Sequence, residues 1–150
     1  MKVGEMCSRG VVSVFESASL RDVATLMKER HVGTVVVIAK SPVTPQPVGI
    51  ITDRDIVRAQ LQHVADLSRL RVADVMTQSP LTMRDDEEIE DAIETLRARG
   101  VRRAPVVNAR GDLIGFLSTD DLVGEVARQL STLARLLERQ PAQEGRQGLG

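Results

Sequence analysis

The sequence predicts a mixed α/β (α+β) fold made of two copies of one unit, and three observations predict it. The chain repeats itself, once from about Val3 to Ile56 and again from about Val72 to Leu122. Inside each copy the apolar residues change from a helical period to short strand-like runs. Finally, the gaps between the copies fall where turn residues cluster. The clearest echo is Gly49-Ile50-Ile51-Thr52-Asp53-Arg54-Asp55-Ile56 against Gly115-Phe116-Leu117-Ser118-Thr119-Asp120-Asp121-Leu122. Each has a glycine, an apolar strand, a hydroxyl residue, and an aspartate three positions later. Met6 matches Met76 and Asp22 matches Asp91 in this reading, and Val32 to Ile38 answers Val101 to Val107.

The elements follow in order. Each copy reads as a helix between strands, then a hairpin-like pair, then a second helix. In copy one, Leu20, Val23, Ala24 and Met27 mark the first helix, and His31 ends it. Thr34 to Ile38 and Val48 to Ile51 are the paired strands, joined by a segment carrying Pro42, Pro45 and Pro47. The second helix and a short connector occupy Arg58 to Leu70, which lacks Gly and Pro, with His63 in the connector. In copy two, Asp85, Asp86, Glu87, Glu88, Glu90 and Asp91 surround Ile89, while Arg97 and Arg99 close the helix; that polarity complements the helix dipole. Ile89, Ala92, Ile93 and Leu96 form the apolar face, so the acids coat the solvated one rather than hold a metal. Gly100 stops this helix. Ala104 to Val107 and Leu113 to Leu117 flank the turn Asn108-Ala109-Arg110-Gly111-Asp112.

The boundaries expected are copy one at 1–62, a connector at 63–71, copy two at 72–127, a helical extension at 128–140 and a disordered tail at 141–150. The extension continues a stripe of Leu122, Val126, Leu130, Leu133 and Leu137. Its first half is expected on its own core, and its later turns either there or in a dimer contact. Pro141 is expected to end it.

Composition narrows the function. With 42% apolar and 27% charged residues and a net charge of -1, the chain has no basic excess for nucleic acid or anionic membrane. No apolar run reaches the roughly 18 residues of a membrane span. The first residues lack the apolar stretch of a secretion signal. Cys7, the one cysteine, is read as a small apolar residue, and a single cysteine excludes an intrachain disulfide; a reducing cytoplasm is expected. His31, His63 and Cys7 match no nucleophile, metal or triad spacing, so catalysis is not expected.

On the paired glycine-to-aspartate motifs and on Val101-Arg102-Arg103-Ala104-Pro105-Val106-Val107, residues 3 to 127 resemble a tandem pair of cystathionine-β-synthase (CBS) domains, a Bateman module. The resemblance implies β-α-β-β-α units paired about a pseudo-twofold axis with facing sheets, and commonly a homodimer. It also implies that AMP, ADP, ATP or a related adenosyl ligand binds in clefts between the copies, with no required cofactor and no metal. Asp55 and Asp121 are then ribose ligands, with Thr52 and Ser118 near phosphate and Ile50 and Phe116 on the cleft wall. Val11, Val12 and Ser13, Leu81 and Thr82, Thr34 and Val35, and Arg103 and Ala104 complete the base pockets. Such a protein would be a stand-alone regulator whose ligand-driven shape change is read by an unidentified protein partner. The alternative is a scaffolding dimer without a ligand site.

Two features of the residues themselves bear on that choice. Thr52-x-x-Asp55 and Ser118-x-x-Asp121 also fit helix capping boxes. The copies differ electrostatically, because Arg54 precedes the aspartate in copy one and Asp120 precedes it in copy two. The Thr52/Asp55 site is therefore expected to hold phosphorylated ligands more tightly, unless Arg102 or Arg103 compensates for Asp120. With only Phe15 and Phe116 as aromatics, adenine would be gripped mainly by aliphatic side chains and backbone.

Overall fold

Two small sheets, each carrying its own helices, make up the computed structural model, which describes residues 1–40, 44–62 and 66–148, with side chains through 138. Pro42, His63 and the last two residues of the chain lie outside the described residues. In chain order the elements are α1 (Val3–Met6), β1 (Ser13–Phe15), α2 (Leu20–Arg30), β2 (Thr34–Ile38), β3 (Pro47–Thr52), α3 (Asp53–Gln62), α4 (Val72–Val75), β4 (Thr77–Gln78), β5 (Met83–Arg84), α5 (Ile89–Arg99), β6 (Arg103–Val107), β7 (Leu113–Ser118) and α6 (Thr119–Gly148). The sheets are ordered β1-β2-β3-β4 and β5-β6-β7.

Local chemistry explains the helix ends. Ser19 caps α2, its hydroxyl oxygen accepting from the Asp22 amide at 3.1 Å. His31 and Gly100 terminate α2 and α5 in the left-handed region, at φ 56° and 65°. They occupy equivalent positions, so copy one makes with histidine the turn that copy two makes with glycine.

The first segment of each copy crosses to the other copy. Val3 is fully buried in the core of copy two, beside Met83, Leu96 and Leu117. Val72 is fully buried in the core of copy one, beside Leu20, Val35 and Ile51. Backbone bonds follow the same exchange. The Val3 amide donates to the Glu87 carbonyl and the Val72 amide to the Ala18 carbonyl, both at 2.9 Å. The Ile89 amide donates to Met1 and the Leu20 amide to Leu70, again both at 2.9 Å. Ser8 pairs with Phe116, and Thr77 with Ile50. Contacts that come in such reciprocal pairs are the mark of a twofold relation, so the copies are related by a pseudo-twofold axis.

Up to the hairpin the equivalent residues hold an offset of 69 positions, as from Val3 to Val72 or Leu20 to Ile89, and after the shorter hairpin of copy two the offset is 66, as from Ile50 to Phe116. At the offset of 69 Met76 is equivalent to Cys7, not to Met6. The glycines show the same register: Cys7 Sγ lies over Gly115 and Met76 Sδ over Gly49. A Cβ on Gly115 would stand 2.9 Å from the Ser8 carbonyl oxygen, and one on Gly49 3.1 Å from that of Thr77. Both glycines are therefore required by the close approach of the exchanged segment.

Strand alternation divides the faces. Val35, Val37 and Ile51 enter the core of copy one, and Ala104, Val106 and Leu117 that of copy two. Their neighbours Thr34, Val36, Arg103 and Phe116 line the space between the sheets. The acidic run before α5 is engaged locally: the Glu87 carboxylate accepts from the Arg84 amide at 3.0 Å, and Arg84 pairs with Asp86 at 2.9 Å.

α6 departs from the expectation at both ends of its extension. It runs to Gly148, past Pro141, rather than stopping there. The flanking Leu137-Glu138-Arg139-Gln140 and Ala142-Gln143-Glu144 are strong helix formers, which offsets the one ladder bond a proline removes. Of the expected stripe only Leu122 is buried; Val126 and the later leucines are exposed. After its first turn this helix leaves its own core.

Candidate functional site

Period-two alternation in β2 and β6 decides which predicted residues can meet a ligand. The side chains of Val35 and Ala104, expected in the base pockets, are fully buried in the two cores. A strand residue cannot serve both faces, so the adjacent Thr34, Val36 and Arg103 take the cleft.

Two adjoining cavities, sharing Gly33, Thr34 and Arg103, lie between the copies. One, of about 300 Å³, is walled by Val11, Val12, Val32, Val36 and Phe116, with Ser8 and Gly10 at its edge. The other, of about 440 Å³, is polar and is lined by Thr52, Asp53 and Arg54. Volumes of this size suit a small organic ligand. The site thus has an apolar end, a polar end at the start of α3, and contributions from both copies. Phe116 supplies a ring from copy two against the aliphatic wall of copy one.

Arg103 makes this cleft unlike its mate. Thr34 and Arg103 are pseudo-symmetric partners at the offset of 69. The Arg103 guanidinium donates to Thr34 Oγ1 at 2.8 Å, so it leans across the axis into the Thr52 cleft. It joins Arg54 there instead of offsetting Asp120 in the second cleft. Asp53, whose amide donates to the Gly33 carbonyl at 2.9 Å, is the one acid among the described residues that line this end. Two arginines therefore line the polar end, at the start of a ten-residue helix.

The two motifs cap their helices unequally, and only the aspartate of copy one takes part with its side chain. In copy one the box is closed: the Thr52 amide donates to Asp55 Oδ2 at 2.9 Å, and the Asp55 amide to Thr52 Oγ1 at 3.3 Å. In copy two the Asp121 amide donates to Ser118 Oγ at 3.1 Å, but Asp121 Oδ2 accepts from the Ser8 hydroxyl at 3.3 Å. Ser8 comes from the exchanged first segment, so that carboxylate is tied to the other copy.

The remaining expected residues fall on symmetric positions. Thr82 is the equivalent of Ser13, Ser118 of Thr52 and Ile50 of Phe116. The second cleft replaces Gly33 and Thr34 with Arg102 and Arg103, and replaces Asp53 and Arg54 with Thr119 and Asp120. Gly33, Val36 and Asp53 were not foreseen. Asp53 stood in plain view inside the motif, and Gly33 was detectable as the one residue in the Val32 to Ile38 run without a side chain. Cys7 packs against the core of copy two, where burial pushes its thiol above the ordinary value near 9.0.

The sequence pattern of the CBS domain matches residues 3–62 and 72–128. A solved CBS domain protein from Pyrobaculum aerophilum, complexed with AMP, is similar at 34% identity and a TM-score of 0.74, over 89% of this chain and 99% of that one. An uncharacterised 17.7 kDa protein of Acidianus ambivalens is 32% identical over 143 residues, 95% of this chain and 81% of its own length. An uncharacterised protein of Methanopyrus kandleri is 29% identical over 123 residues, and the chain spans 61% of that protein's length.

Proposed function

The chain belongs to the CBS domain family, carrying two tandem copies of the domain, and on that premise we propose that it is a regulatory module binding an adenine nucleotide between them. The observation that carries this reading is the convergence of Arg54 and Arg103 on the start of α3, beside an apolar cavity. The arginines and Thr52 take the phosphate, and Val12, Val36 and Phe116 enclose the base. Asp55 takes the ribose: its capping bond uses Oδ2, and a carboxylate has a second oxygen for a hydroxyl. Ser13 and the Thr34 backbone border the base. Ser118, Asp121, Thr82 and Ile50 form the weaker second site, where Asp120 opposes phosphate. The AMP-bound relative from Pyrobaculum supports the choice of AMP as first ligand to test.

The role is binding, not catalysis. Ligand changes the angle between the copies or the geometry of a homodimer, and a protein partner reads the change. Among the described residues no helix is long and apolar enough to cross a membrane. We place the protein in the cytoplasm.

A scaffolding role is the second reading, and the closed Thr52–Asp55 box favours it, because a cap alone accounts for both residues. Thermal unfolding with AMP, ADP, ATP and S-adenosylmethionine separates the two. Ligand at about 100 times its Kd adds about 2.7 kcal/mol to stability, a rise of roughly 5–10 °C for a chain of this size. We expect that rise with AMP and its loss in Arg54→Ala. No rise with any of the four, in protein free of carried-over nucleotide, leaves the scaffold.

A further inference from the structure

We propose that Arg103 couples the two clefts, its side chain passing between the start of α3 and the start of α6, so that negative charge arriving in the second cleft withdraws it from the first and weakens phosphate binding there. The inference rests on the nucleotide-binding reading and adds a regulation to it.

The backbone and the guanidinium of Arg103 belong to different clefts. In the β6–β7 register Arg103 stands directly opposite Ser118, as Thr34 stands opposite Thr52 in β2–β3. Residues opposite one another in an antiparallel pair share a face, with Cβ atoms about 5 Å apart. Position 103 is therefore built into the wall of the second cleft, next to the hydroxyl that caps α6. The Thr119 amide fastens the root of that helix to the Arg102 carbonyl at 2.8 Å, one residue before Asp120. Yet the guanidinium lies in the first cleft, with Thr52, Asp53 and Arg54.

What holds it there is slight. Its hydrogen bond to Thr34 Oγ1 is exposed and ends on a neutral hydroxyl. Among the described residues neither Arg103 nor Asp120 belongs to an ion pair. The side chain has an acid on either hand, Asp53 in the first cleft and Asp120 in the second. Five donors on a long stem suit an arginine to both positions. A group with two resting places and one charge obeys linkage. Phosphate bound in the first cleft fixes it there and leaves Asp120 uncovered, and phosphate in the second draws it over at the expense of the first. A nucleoside without phosphate makes no such demand, so the clefts compete for charge rather than for space.

Calorimetric titration of AMP into the full chain tests this through Ser118→Asp, which places a fixed carboxylate directly opposite Arg103 and outside the first cleft. Aspartate caps a helix as well as serine does, so α6 keeps its start. AMP affinity at the first cleft is expected to fall roughly 10-fold in Ser118→Asp. In an Arg103→Ala background, where AMP binds more weakly from the outset, Ser118→Asp should change nothing further. Asp120→Asn should do the reverse, tightening AMP only while Arg103 is present. Adenosine affinity should be equal in wild type and Ser118→Asp. An equal loss of AMP affinity with and without Arg103 would mean repulsion through space and overturn the coupling. So would a matching loss with adenosine, or no loss at all. Failure of wild type to bind AMP would instead overturn the nucleotide reading, and the coupling with it.

Discussion

The two clefts are built from one plan and differ in charge. Copy one offers a glycine and a threonine at positions 33 and 34, with Arg54 behind the start of its helix. Copy two offers Arg102 and Arg103 in the matching places, with Asp120 where Arg54 stood. A sequence comparison alone balances these, arginine for arginine. The structure does not, because Arg103 crosses the axis to Thr34 and adds its charge to the copy-one cleft. A residue on the pseudo-twofold serves one side at a time. Duplication followed by a few polar substitutions is enough to give the two clefts different charge.

The most severe test treats the copies as equals. Ile51 and Leu117 are equivalent and fully buried. Each truncation to alanine should cost about 2–5 kcal/mol in chemical denaturation. Because the first segments are exchanged, both variants should unfold in one transition, and two separated transitions would break that view.

Next in size come the charges. Arg54→Ala removes a charge-assisted bond of about 1.5–3 kcal/mol, so AMP affinity by calorimetry should fall roughly 10- to 100-fold. Asp120→Arg should bring a second binding event into range, and its failure to do so would show that Asp120 is not what separates the clefts. Arg103→Ala should weaken the copy-one site and leave the Asp120→Arg gain intact.

Caps are a smaller matter. Thr52→Ala should cost about 1 kcal/mol, and Ser118→Ala somewhat less, since only the copy-one box is closed. Equal losses would mean that the Ser8 contact substitutes fully for the missing bond.

The smallest effect is acid sensitivity at the equivalent helix starts. Glu88 begins α5 where Ser19 begins α2, and its hydrogen bond from Lys2 holds its carboxyl below the ordinary value near 4.5. A depressed carboxylate contributes stability above its unfolded pKa and loses it as pH falls through the folded one. Melting temperature should therefore decline below about pH 4.5 less steeply in Glu88→Gln. An unchanged slope would assign the acid loss elsewhere.

Much of this was legible in the chain. The duplicated glycine-to-aspartate motif identified both helix starts and the hairpins, because hydrophobic period and turn residues are local signals. The hydroxyls of the motif and the acid of copy one were readable as caps for the same reason. What could not be read was non-local. The exchange of α1 and α4 leaves no local mark, which allowed Met6 to be paired with Met76 one position out of register. Which of two adjacent strand residues turns its side chain to the cleft depends on sheet stacking, so the sequence does not separate Thr34 from Val35 or Arg103 from Ala104. The lean of Arg103 depends on a threonine 69 positions away. Asp53 has Thr119 as its equivalent in copy two, so the repeat does not mark it.

The crossing of α1 and α4 also says what the covalent joint between the copies is for. Each half carries the segment that completes the other and lacks the one that completes itself. Half a chain has an empty slot in its core where Val3 or Val72 belongs, and it holds the plug for somebody else's. The connector supplies local concentration and little more. Two halves expressed as separate polypeptides should find each other as a heterodimer, and the intact protein is in that sense a pair of subunits that happen to share a backbone.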